Sequence, residues 1–252
     1  MNKVSVIIPT LNEENNIVAA IKSVQGFADE IIVIDSFSTD KTLELANKFN
    51  ARVLQRKFDD FSTQKNYAIS LAQHSWVYIL DADERVTPEV SAEIKQALSN
   101  PKNYVGFYVG RIFYYKSKKI NYGGWGSDKV IRLFSKKHCE YDGKPVHEKV
   151  KANGNVGYFK NKINHFSFIE MNLFKEKLNK YGKLQAQELF LRNRKTTFYH
   201  SKLKPLVRFF IHYVIRFGFL DGYEGFQLSY LMGYGVKKRY EYLNRFYESR
   251  RK

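Results

Sequence analysis

The 252-residue chain has a single cysteine, Cys139, so no disulfide can form within it, and a reducing compartment is the simplest setting. It also lacks a long apolar run near its start. The run Val4 to Pro9 is followed at once by Asn12, Glu13 and Glu14, which excludes a signal peptide or a membrane span there. No internal repeat and no low-complexity linker interrupts the chain. Acidic residues are scarce in one region only. Residues 111–252 carry 31 Lys+Arg against 11 Asp+Glu, whereas residues 1–110 carry 11 against 14. The net +17 therefore describes an acidic first part joined to a strongly basic second part, which seeks anions such as phosphorylated glycans, anionic lipid or nucleic acid. A hydrophobic content of 44% and a charged content of 27% exclude disorder, and aromatic residues are plentiful at 16%.

The first hundred residues alternate short apolar runs with amphipathic ones. Residues 4–9, 30–35 (EIIVID), 52–56 and 76–80 (WVYIL) read as strands. Between them lie helical patterns. Ile17, Ile21 and Val24 recur after a Thr10–Glu13 spacing that predicts a capping box. A second helix starts at Ser38–Asp40, a third covers 62–72, and Thr87 with Pro88 opens a fourth. That rhythm predicts an α/β fold, a Rossmann-like and mostly parallel sheet with helices on both faces. From residue 104 strands dominate (104–115, 128–135 and 156–168), and from about 170 the pattern is helical and basic to the end. The expected division is 1–169, with 1–103 and 104–169 as its halves, followed by a helical C-terminal extension over 170–252.

In an open parallel sheet, ligands bind beyond the carboxyl ends of the strands. The loop after the first strand is Thr10-Leu11-Asn12-Glu13-Glu14. The second strand ends in Asp35 and the fourth in Asp81-Ala82-Asp83. Asp-x-Asp is a common spacing, and its place directly after WVYIL is what makes it informative. Two carboxylates there can meet a hard cation, Mg²⁺ or Mn²⁺, while leaving positions open for phosphate oxygens.

VSVIIPTLNEE, EIIVIDSFSTDKT, QKNYA (64–68) and YILDADE, in that order, resemble the inverting family 2 glycosyltransferases of GT-A fold. Further on, DKVIRLFS, EYDGKPVHEKV, INHFSF and GFLDGYEGF resemble the branch that adds sugars, often glucose, to the lipopolysaccharide core or related surface glycans. The resemblance implies a UDP-sugar donor, glucose first. Pro9, Thr10, Asn12, Glu14 and Asp35 would line the nucleotide pocket, Lys65 would meet ring edges or phosphate, and Asp81 the ribose or an outer-shell water. Asp83 would bind the metal. His165 is a candidate third ligand, for the metal or the diphosphate, with a buried core histidine as the alternative. The wider family places its base in a Glu-Asp pair; here His147-Glu148 stands at that place, which makes Glu148 the base with Asp128 and Asp142 as competitors. His147 and Trp125, in a Gly-rich loop, are the acceptor-side candidates.

The stretch LKPLVRFFIHYVIRFGFL (203–220) places Arg208, His212 and Arg216 on one helical face among apolar residues. Two arginines exclude a bilayer span, leaving an interfacial helix on an anionic leaflet, a core helix or a subunit contact. The expected setting is cytoplasmic, with a peripheral place on the inner face of the membrane, and the acceptor a glycan or lipid-linked glycan. Two other classes compete. A nucleotidyltransferase would carry a Gly-rich phosphate loop where TLNEEN stands, and a basic lipid- or nucleic-acid-binding module would need no acidic site. The acidic N-terminal part argues against nucleic acid.

Overall fold

The computed structural model describes residues 1–126, 128–144, 148–167 and 171–250. The chain divides into two compact units, residues 1–112 with 127–166, and residues 113–126 with 167–252. The segment 113–126 thus groups with the C-terminal helices.

In the first unit, β1 (Val4–Thr10), β2 (Glu30–Asp35), β3 (Arg52–Gln55) and β4 (Trp76–Ile79) are parallel, with β1 between β2 and β4. Their β-branched runs suit a sheet buried on both faces. Alternate side chains serve different cores. Val6, Ile8, Val33 and Tyr78 face one, while Ile7, Ile32, Ile34, Val77 and Ile79 face the other. Helices α1 (Ile17–Val24), α2 (Thr42–Asn47) and α4 (Pro88–Ser99) pack on the first face through Ile21, Ala46 and Ile94; α3 (Phe61–Leu71) covers the second through Ala68 and Ile69. Each fully buried Ile or Val here contributes about 1.5–3 kcal/mol relative to exposure. Thr87 accepts from the Val90 N–H at 3.4 Å, ahead of Pro88 at the start of α4.

The remaining strands are β5 (Glu84–Arg85), β6 (Tyr104–Tyr115), β7 (Lys118–Ile120), β8 (Lys129–Ser135), β9 (Cys139–Tyr141), β10 (Val150–Ala152) and β11 (Asn155–Ser167). The sheet continues β4-β8-β6-β11-β5, with β8 antiparallel to β4 and to β6. The parallel half is where helical crossovers join the strands; the antiparallel half follows where helices give out and turns take over. β9 and β10 form a separate antiparallel pair.

The expected capping box does not form. The Thr10 hydroxyl donates to Asp35 instead, and the Glu13 carboxylate takes the Asn16 side-chain amide at 2.8 Å. Helix α1 starts only at Ile17, too far along for Thr10 to reach its free N–H groups.

The second unit contains α5 (Met171–Leu191), α6 (Lys204–Phe210) and α7 (Gly222–Ser249), with π turns at 199–203 and 211–215. Helices α5 and α7 share a core of Ala186, Val236, Tyr240 and Leu243. The motif GFLDGYEGF is structural here. A Cβ at Gly225 would lie 1.8 Å from the Gly218 carbonyl oxygen, and one at Gly218 would lie 2.6 Å from that of His212. The buried Asp221 accepts the backbone N–H groups of Asn121 and Tyr122 at 3.2 and 2.8 Å. Among the described residues no helix is long and apolar enough to cross a membrane.

Candidate active site

Two loops at the carboxyl end of the parallel sheet are laced together. Register pairs Thr10 with Asp35, so the loops that follow β1 and β2 leave side by side. The N–H groups of Asn12, Glu13 and Glu14 donate to Ser38, Thr42 and Asp40 at 2.8, 2.8 and 3.0 Å. In return the Asn12 side chain accepts from the Thr39 N–H at 2.9 Å, and the Glu14 carboxylate from the Lys41 N–H at 3.1 Å. Asp35 is fully buried; it accepts the Ser38 N–H at 2.9 Å and the Ser38 hydroxyl, with longer bonds of 3.3 Å from Thr10 and Gln55. The turn between them puts Phe37, an exposed residue, in the left-handed region at φ 63°, a conformation that costs a bulky residue energy and gathers at functional sites.

A buried charge network forms the floor beyond β4. The Arg132 guanidinium, from the middle of β8, reaches both Asp81 and Glu84. Glu84 is wholly buried and also meets Arg111 at 3.2 Å, which in turn holds Asp128. Lys65, from α3, stands 3.6 Å from Asp81 and 2.7 Å from Glu148. Burial works against the Lys65 charge, but Asp81, ahead of Tyr141 and Glu148, outweighs it and holds the ammonium above the ordinary lysine range. Burial likewise opposes ionisation of Asp81, yet Arg132 and then Lys65 hold its carboxyl far below the usual carboxylate range. Asp81 is therefore held as an anion with two cations on it.

Asp83 belongs to a different group. β5 pairs antiparallel with β11, placing His165 opposite Glu84, and the Phe166 N–H donates to the Asp83 carbonyl at 2.8 Å. That register brings His165 Nε2 to 3.0 Å from an Asp83 carboxylate oxygen. Burial opposes the imidazolium, but the hydrogen bond to Asp83 prevails and the His165 pKa rises. The two carboxylates of Asp81-Ala82-Asp83 thus have separate partners. Among the described residues no group of three or more His, Cys, Asp and Glu gathers to hold an ion. One carboxylate and one imidazole fit a divalent cation completed by ligands from outside the chain, and the nitrogen donor suits Mn²⁺ better than Mg²⁺.

The structure brings Asp81, Lys65 and Glu148 into one cluster and Asp83 with His165 into another close by. Pro9 and Thr10 end β1, and Asn12 and Glu14 are exposed with their side chains engaged in the loop lacing. Glu13 is the residue of that loop that feels the Asp83 charge. Its pKa rises through burial first, against the Asn16 bond, with Asp83 adding to the rise. Asp142 is tied to Lys144 at 3.3 Å and to the Lys149 N–H, and Asp128 to Arg111, as Glu148 is to Lys65. Trp125 belongs to the second unit, stacked 4.7 Å from Phe113 and edge-on to Phe174, which takes one ring face from any sugar. His147 lies outside the described residues. Sequence reasoning missed Arg132, Arg111 and Glu84. The available signal was a lone arginine inside the apolar strand KVIRLF.

A sheet covered on both faces, with acidic residues beyond the carboxyl ends of its parallel strands, is the α/β architecture expected from the sequence. The family described as glycosyl transferase family 2 matches residues 5–166, and the chain belongs to it. An uncharacterized glycosyltransferase of Rickettsia typhi is 29% identical over 245 residues, covering 93% of this chain and 84% of its own. The lipopolysaccharide core biosynthesis glycosyltransferase LpsC of Rhizobium meliloti is 28% identical over 216 residues, 81% of this chain and 78% of its own. Among solved structures, glucosyl-3-phosphoglycerate synthase of Mycobacterium tuberculosis, crystallised with Mn²⁺, UDP and glucosyl-3-phosphoglycerate, is similar at 25% identity. That likeness has a TM-score of 0.36 and covers 46% of this chain and 44% of the other.

Proposed function

We propose that this glycosyltransferase moves a hexose, glucose first, from a UDP-sugar to a lipopolysaccharide core or another lipid-linked surface glycan, with inversion. The observation that carries the reading is the Lys65 ammonium, 3.6 Å from Asp81 and 2.7 Å from Glu148, which holds a donor-side and an acceptor-side carboxylate in one cluster. Pro9, Thr10 and Asp35 form the nucleoside side of the pocket, and the 3.3 Å bonds from Thr10 and Gln55 are the ones that yield when a nucleoside meets Asp35. Asp83 and His165 would hold Mn²⁺ or Mg²⁺. When bound, the cation supplies positive charge to the departing diphosphate. Glu148 uses Oε1 for Lys65, so Oε2 takes the proton of the acceptor hydroxyl. The acceptor oxygen, so deprotonated, bonds to the anomeric carbon on the face opposite the breaking C–O bond, and UDP leaves with that bond's electron pair. The name of the Rhizobium relative supports the acceptor class, and such an acceptor would be met at the inner face of the cytoplasmic membrane.

A donor screen tests this. UDP-, GDP- and CMP-sugars are incubated with the chain and Mn²⁺ or Mg²⁺, and free nucleotide is measured. UDP release that disappears in Asp83→Ala, with an unchanged melting transition, is expected. Release of pyrophosphate instead would make the chain a nucleotidyltransferase, and undiminished turnover of Asp83→Ala would end the metal assignment.

A further inference from the structure

The second unit carries a surface that none of the site chemistry uses. Between residues 203 and 220 large apolar side chains point outward. Leu206 is 65% exposed, Phe210 52%, Ile215 60% and Phe217 55%. The opposite side of the stretch does the packing, with Pro205 and His212 buried and His212 Nδ1 2.6 Å from the Gly123 carbonyl oxygen. A helix of a globular protein normally turns its apolar stripe inward. A contiguous stripe turned outward marks a contact surface.

Charge selects the occupant. This unit contains 21 Lys+Arg and 7 Asp+Glu, a net +14. Arg208 and Arg216 are exposed along the same stretch, Arg216 with its guanidinium beside Gly124, and Arg239 of α7 is close enough to act on Arg208. The Arg208 guanidinium is pushed below its usual value, by burial first and then by Arg216 and Arg239. Among the described residues the unit's ion pairs are Lys118–Glu224, Arg192–Glu188, Lys237–Glu241 and Lys238–Glu241. Among the described residues no carboxylate pairs with any of the three arginines. Crowded cations beside outward Leu, Ile and Phe fit a partner that is anionic at one depth and apolar just below it, and a lipid leaflet is built that way. A second copy would bring another net +14 against the first. Single-stranded nucleic acid would favour stacking aromatics over branched aliphatic side chains.

We propose that residues 203–220 lie flat on an anionic bilayer, with the outward apolar stripe at the headgroup–acyl boundary and Arg208, Arg216 and Arg239 on lipid phosphates. The surface stands on its own observations and goes beyond the sugar-transfer reading without resting on it.

The full chain is sedimented with vesicles of phosphatidylcholine alone and of phosphatidylcholine with one-third phosphatidylglycerol, at low and high salt. Binding to the anionic vesicles only, weakened by salt, is expected. Replacing Arg208 and Arg216 together by Gln should weaken partitioning about 25-fold, five-fold for each charge. Replacing Leu206 and Ile215 together by Asp should abolish it. All four positions are exposed, so both variants should keep the parent melting transition, and the arginine pair remains decisive if the aspartate pair unfolds. Equal binding to neutral vesicles, no binding by the parent, or a dimer in light scattering that the aspartate pair converts to monomer would each overturn the proposal. UDP release without vesicles, measured in parallel, should be unchanged in both variants, which separates failure of docking from failure of the transfer reading.

Discussion

Replacing Arg132 by Met removes the cation that joins Asp81 to Glu84 while keeping an apolar stem of similar length. The two acids would respond differently. Asp81 is 34% exposed and keeps Lys65, so water and a second cation soften its loss. Glu84 has no exposure and keeps only Arg111 at 3.2 Å and the Asp81 N–H at 3.2 Å. The cost therefore lies with Glu84. Breaking a buried pair by deleting one partner typically costs about 3–5 kcal/mol, and the surviving Arg111 contact places Arg132→Met near the low end, at about 3 kcal/mol. For a chain of this size that is about 6–12 °C in melting temperature. Urea unfolding with constant slope would measure it. Adding Glu84→Gln should restore part of the loss by removing the stranded charge, through a coupling on the order of 1–3 kcal/mol. A melting temperature within a degree of the parent, or a double variant less stable than Arg132→Met, would show that the pair is not the source of stability. Acid supplies a second readout. A carboxyl whose folded pKa is depressed stabilises the fold above its ordinary value of 3.8 and loses that contribution as pH falls. Arg132→Met should therefore flatten the decline in stability below about pH 4, the pKa of a free Asp.

Glu148→Gln should bind donor with little change in KM and lose about 10²- to 10⁴-fold in kcat, the usual contribution of a positioned base; parent-like kcat would remove Glu148 from that role. Gly225→Ala places a methyl 1.8 Å from the Gly218 carbonyl oxygen and should cost at least about 1–3 kcal/mol, read as a lower melting transition of the second unit. Burial raises the Cys139 thiol to about 11, so at neutral pH a disulfide reagent should label the chain only after denaturation; fast labelling of the native protein would contradict that burial. The Arg56 guanidinium, bonded to Asp59 at 2.7 Å, holds that carboxyl at about 2 against an ordinary 3.8. Its carboxylate NMR signal should have its titration midpoint near pH 2, and Arg56→Gln should return the midpoint toward 3.8.

The parallel half of the sheet was legible because its strands are short runs of Val and Ile buried on both faces, and only a few folds bury such runs. The strand ends at Asp35 and Asp81 followed from that placement. Arg132 and Glu84 were not legible, since 48 residues separate them and no local pattern links a lone arginine in one strand to an acid beyond another. His165 meets Asp83 only through the β5–β11 register, which a two-residue strand sets without any periodic signal. The helical spacing read for Arg208, His212 and Arg216 carries only part of the arrangement. The three stay together, since both arginines are close enough to act on the His212 imidazole and the Arg216 guanidinium lies against Gly124, beside the Gly123 carbonyl that His212 meets. Yet His212 is buried while both arginines are exposed. Spacing places residues on a face, but which of them is buried depends here on Gly123, 89 residues away in sequence, and no periodic signal reaches that far.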